Sequence, residues 1–110
     1  MRPKKMYVPK DIPDLLDFLV SMLLSAPKFI DKTGYFPYRN LDYMFRQLNE
    51  GLSVNRPKLG EERYHKLMGM SEQMRALFEA DPENTTGETR KGRDIIYEME
   101  DILKQVRRKS

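Results

Sequence analysis

Glu62 and His65 stand three residues apart in a segment with helical periodicity, the carboxylate and imidazole spacing used by di-iron helical bundles. Such centres need two copies of that motif and two further glutamates facing the bundle interior, and His65 is the single histidine of the chain. Half of the ligand set is missing, so the pair reads as a surface Glu and His on one helical turn. The same histidine would have to serve any hydrolytic triad, and Ser21, Ser25, Ser53, Ser71 and Ser110 all lack a nucleophile-elbow setting. The glycines of Thr86-Gly87-Glu88-Thr89-Arg90-Lys91-Gly92 have neither the spacing nor the preceding strand of a phosphate-binding loop. With no cysteine, thiol nucleophiles, zinc knuckles and iron–sulfur ligation drop out together. The expectation is a non-enzyme with no catalytic residue, no cofactor and no metal.

The elements that would carry any surface are helical. Asp11 as N-cap, Pro13 in the first turn and Asp14 behind it predict a helix over 12–25, closed by Pro27. Its apolar residues cover nearly the whole circumference, which predicts a helix surrounded by others. Residues 28–38 show no period, hold the Thr33-Gly34 turn and carry Phe29, Tyr35, Phe36 and Tyr38, an aromatic loop. Leu41, Met44, Phe45, Leu48 and Leu52 predict an amphipathic helix over 39–54, with Gly51 as a weak spot. A third helix is expected over 60–80 on Tyr64, Leu67, Met68, Met70, Ser71, Met74, Leu77 and Phe78. Thr85-x-x-Glu88 offers a capping box for a fourth over 86–107, striped by Ile95, Ile96, Met99, Ile102, Leu103 and Val106. Four amphipathic helices without a strand signal mean an all-α, single-domain bundle.

Charge divides the chain. Residues 1–10 hold four cations and no acid, and residues 103–110 hold four more, while the whole chain is only +3. Residues 11–102 therefore sum to −5. The expected organisation is a basic N-terminal arm (1–10), a helical bundle domain (11–106) and a basic C-terminal tail (107–110). The basic start and the apolar run Leu15 to Leu24 invite comparison with a secretory signal, but Asp14, Asp17 and Ser21 interrupt the run. It is also shorter than the ~20 apolar residues a bilayer span needs. No membrane partner and a cytoplasmic location are expected.

Two surface features suit recognition of another protein. Asp94, Glu98 and Asp101 recur at i, i+4 and i+7, a negative stripe opposite the apolar face of the fourth helix. Tyr35, Phe36, Tyr38 and Arg39, with Tyr43 and Arg46, have the Tyr and Arg enrichment of interface anchors. The eight methionines read as core filling.

The stretches Thr33-Gly-Tyr-Phe-Pro-Tyr-Arg-Asn-Leu, Lys58-Leu-Gly-Glu-Glu-Arg-Tyr and Met74-Arg-Ala-Leu-Phe-Glu-Ala-Asp-Pro look like those of small bacterial proteins of toxin-linked loci. The chain is similar in character to the all-helical immunity proteins of contact-dependent growth inhibition systems. That resemblance implies neutralisation of a cognate toxin domain, often a nuclease, by covering its active site or an adjacent surface. The basic termini support an alternative, a small nucleic-acid-associated protein that clamps phosphates. A helical adaptor or homodimer is the third reading.

Overall fold

In the computed structural model, residues 8–26, 41–81 and 83–109 are described. The aromatic loop 28–38, with Tyr35, Phe36 and Tyr38, lies outside them, as do Arg39 and most of the N-terminal arm. The described residues are all-α: α1 (Ile12–Ser25), α2 (Leu41–Val54), α3 (Arg56–Leu59), α4 (Glu61–Ala80) and α5 (Glu88–Lys109). Each long helix packs on two others, α1 on α5, α5 on α4, α4 on α2 and α2 on α1, so the four close a ring around one core. The expected apolar stripes form that core. Met44, Phe45, Leu48 and Leu52 of α2, Leu67, Met70, Met74 and Phe78 of α4, and Ile96, Met99, Leu103 and Val106 of α5 are all buried. Five of the eight methionines, Met22, Met44, Met70, Met74 and Met99, lie in it.

α1 begins as its residues dictate, with the Asp11 carboxylate accepting from the Asp14 N–H at 2.9 Å. Its last turn has no basic residue of its own. Arg93 of α5 supplies one, donating to the Ala26 carbonyl at 3.3 Å, where a cation meets the negative end of the helix. The expectation that α1 is surrounded on all sides is corrected: Val20 is 46% and Leu24 83% exposed. Neighbours in a ring of four cover only the inward face of a helix.

The four expected helices become five, because Asn55-Arg56-Pro57-Lys58 is more than a connector. Asn55 is fully buried, and its side-chain amide donates to the Gly51 carbonyl at 2.8 Å and to the Pro9 carbonyl at 3.3 Å. That ties the end of α2 to the chain before α1. One helical turn, α3, then drops Leu59 into the core, and Gly60 at φ 83° redirects the chain into α4. Gly51 is a contact rather than a weak spot. A β-carbon there would stand 3.0 Å from both the Leu15 Cδ2 and the Pro9 Cδ atoms.

The capping box at Thr85 and Glu88 is also corrected. The start of α5 is organised by Asp81, a buried residue at the end of α4. One carboxylate oxygen accepts from the Thr85 and Thr86 N–H groups at 2.7 and 3.2 Å, and the other from the Thr89 N–H at 3.0 Å. The Thr89 hydroxyl donates to the Asp81 carbonyl at 2.9 Å. Held this way, α5 begins at Glu88, two residues later than its sequence suggests, and runs through Arg107 to Lys109. Just beyond the turn, Gly92 lies against the fully buried Phe78 ring, where an added β-carbon would come within 2.6 Å of a ring atom.

Replacing Gly92 by Ala should destabilise the fold by ~1–3 kcal/mol through overpacking, although Ala is the better helix former. Gly69→Ala, on an exposed helical position with open space around it, should instead stabilise by up to ~1 kcal/mol. Urea melts of the two variants read the opposite signs. Burial alone would raise the Asp81 carboxyl, but the N–H donors of Thr89, Thr85 and Thr86 and the Thr89 side chain outweigh it and hold the group far below the usual carboxylate range. A lowered folded-state value stabilises above the unfolded value of ~4, and that stability is lost as pH falls toward the folded value. Asp81→Ala should thus melt below the native chain by an interval that is constant from about pH 5 upward and shrinks below about pH 4.

Candidate protein-binding surface

The acidic residues singled out on the last helix project from the outer face of α5: Asp94, Glu98 and Asp101 are exposed. Among the described residues none of the three has a basic nitrogen within 4 Å. Their charge is therefore unpaired. Tyr97 stands on the same outer face with 55% of its surface exposed, one of the four large apolar or aromatic side chains so exposed among the described residues. The sequence reading passed over it, since Tyr97 falls outside the apolar stripe. Its type was the available signal, because Tyr joins a large apolar area to a polar tip and fits a surface anchor.

Glu100 separates from this group. It points inward, is 9% exposed and forms no ion pair with Lys104, its neighbour one turn on. Burial pushes its carboxyl up, Lys104 opposes the shift through space, and Asp101 adds to it. The negative face is therefore a stripe of three carboxylates with one tyrosine on its flank, and the fourth acid faces the bundle.

Tyr43 is half-buried and Arg46 exposed, both on α2. α2 and α5 sit at opposite corners of the ring, each flanked by α1 and α4. Their outer faces point apart, so Tyr43 and Arg46 do not join Asp94, Glu98 and Asp101 in a single patch. Tyr35, Phe36, Tyr38 and Arg39 lie outside the described residues. On the α2 side Asp42 is paired: Arg75 of α4 bonds its carboxylate, approaches Glu79 at 3.6 Å and lies 6.0 Å from the centre of the Phe45 ring.

The Glu62 and His65 pairing is not what the fold makes. His65 lies 3.7 Å from Glu61, one turn back, while Glu61 also takes two hydrogen bonds from Arg56 of α3. Arg56 covers the Tyr64 ring at 4.6 Å, and Tyr64 meets His65 edge to face at 5.3 Å. The Arg56 bond, more than His65, lowers the Glu61 carboxyl, and the same bond raises Arg56. The group is an exposed clasp between α3 and α4. Among the described residues no three carboxylate or imidazole side chains converge, and no helix is long and apolar enough to cross a membrane.

The inward placement of Glu100 sets a testable sign. An acid whose folded-state value is raised contributes stability below its unfolded value of ~4.3 and loses it as pH rises through the folded value. Glu100→Gln should accordingly raise the melting temperature at pH 7 and leave it unchanged near pH 3, as thermal melts at the two pH values will show.

Compared with known proteins, the chain matches no family model, no curated protein and no solved structure.

Proposed function

We propose that the chain is a non-catalytic protein-binding module that acts in the cytoplasm as an immunity protein, neutralising a cognate toxin by covering its active site or a neighbouring surface. The observation that carries this reading is the outer face of α5, where Asp94, Glu98 and Asp101 are unpaired and flanked by an exposed Tyr97. Unpaired carboxylates on a rigid helix attract a cationic surface and accelerate encounter, and a tyrosine beside them supplies buried area once contact is made. A toxin that acts on nucleic acid presents such a cationic surface, since it must hold phosphates. Covering that surface requires shape, charge and stability from the inhibitor and no reacting group. The tyrosines and Arg39 of the 28–40 segment would extend the contact beyond α5 in this reading.

The test is co-expression with the product of the gene directly upstream of this reading frame, which this reading expects to be a toxin. The native chain should restore growth and co-purify with the toxin. Changing Asp94, Glu98 and Asp101 together to Lys should abolish rescue. Tyr97→Ala should weaken capture by about tenfold or more, the range of an interface anchor, with the melting temperature of both variants near native. Full rescue by both variants would remove the α5 face from the interface. A shift of duplex or transfer RNA at low salt, in the absence of any toxin capture, would favour the nucleic-acid reading instead.

A further inference from the structure

A cleft of about 560 Å³ opens where the first turn of α1, the short α3, the start of α4 and the end of α5 meet. It uses none of the residues of the acidic α5 face and stands apart from the reading above. Three cations line it, Lys58 of α3, Arg63 of α4 and Arg107 of α5, against one carboxylate, Asp11. The Asp11 carboxylate is already committed to the Asp14 N–H as the N-cap of α1. Neither Lys58 nor Arg63 has a carboxylate within 4 Å among the described residues; Arg63 reaches only the Leu59 carbonyl, at 3.3 Å. The remaining wall is apolar, built by Ile12, Pro13 and Val106. These residues come from four elements and almost the full length of the chain, so the site exists only in the folded bundle.

We propose that this cleft binds a phosphate monoester carried on a flat organic body, for which a mononucleotide is the simplest probe. Lys58 and Arg63, neither with a carboxylate partner among the described residues, bring two positive charges to the lining, which matches a phosphate monoester of charge −1.5 to −2 at pH ~7 better than a single carboxylate. Arg63 offers a planar fork suited to phosphate oxygens, and Lys58 adds a compact point charge. The N-terminus of α1 adds the positive end of a helix dipole on the same side. The ring of Pro13 and the methyl groups of Ile12 and Val106 give a planar base an apolar wall. The volume lies inside the ~300–1,000 Å³ typical of small-ligand sites.

Calorimetric titration of the full chain with uridine monophosphate, inorganic phosphate and uridine tests the assignment. Uridine monophosphate should bind with one site per chain, and the phosphate and the nucleoside should each bind at least ~10-fold more weakly. Lys58→Ala and Arg63→Ala should each weaken the nucleotide about 10-fold, the loss of one charge-assisted contact, whereas Arg90→Ala, at the other end of α5, should change nothing. Lys58 is an exposed side chain with no bond to the fold, so its variant keeps the test sound if Arg63→Ala melts early. Affinity should also rise from pH 5 to pH 7.5 as the monoester takes its second charge near pH ~6. Comparison of one oligonucleotide with and without a 5′-phosphate locates the source. Preference for the 5′-phosphorylated strand points to a nucleic acid end, and preference for the free nucleotide points to a small metabolite. No saturable binding of the nucleotide, or insensitivity of its binding to Lys58→Ala, overturns the proposal.

Discussion

The position of α5 rests on one buried carboxylate. Asp81 follows the last turn of α4 and collects N–H groups four to eight residues later, where α5 opens. A buried anion survives only when its hydrogen-bonding capacity is met, and here the amide dipoles of Thr85, Thr86 and Thr89 meet it. The same bonds satisfy orphan donors at the helix start, so a single group removes two costs. Because the turn is tight, Gly92 arrives against Phe78 with no room for a side chain between them. α5 then lies in the seam between α4 and α1, and everything it displays is oriented by that seam.

Along α5 the displayed chemistry changes sign. The acidic face ends near Asp101 and the cationic cleft takes Arg107, while Asp94 lies thirteen residues earlier, ~20 Å away along the axis at 1.5 Å per residue. Asp101, six residues before Arg107, is only ~9 Å from it along the axis, about one Debye length at physiological salt, so the two regions screen each other only in part. A basic pI thus hides an acidic and a cationic stretch on one helix.

Much of the architecture was legible before any coordinates. The helix over 12–25 ends where Pro27 forbids continuation, and the stripe from Met44 to Leu52 is buried as its spacing demands. The acidic stripe of the candidate surface was also legible, since Asp94, Glu98 and Asp101 recur with the helical period opposite the apolar one. The misreading at the start of α5 has a physical cause. Thr85 and Glu88 satisfy a local capping rule, but Asp81, further back in the chain, captures the same N–H groups from a buried position and wins. Glu62 and His65 are both exposed on α4, as a surface pair on one helical turn would be. Tyr97 was missed because it obeys no stripe.

The amino-acid sequence by itself determined the all-α class, which side of each described long helix is apolar and how charge is shared between the ends and the body. All of these follow from the 3.6-residue period and from composition, which any window of the chain carries within itself. The tertiary structure alone decided that Asn55 would hold Pro9, that Gly92 would receive Phe78, that α2 and α5 would face apart, and that Lys58, Arg63 and Arg107 would meet beside Pro13. These arrangements join different elements of the chain, Asn55 to Pro9 across 46 positions and α3, α4 and α5 at one cleft. They depend on how the helices lie against one another, which no local spacing records.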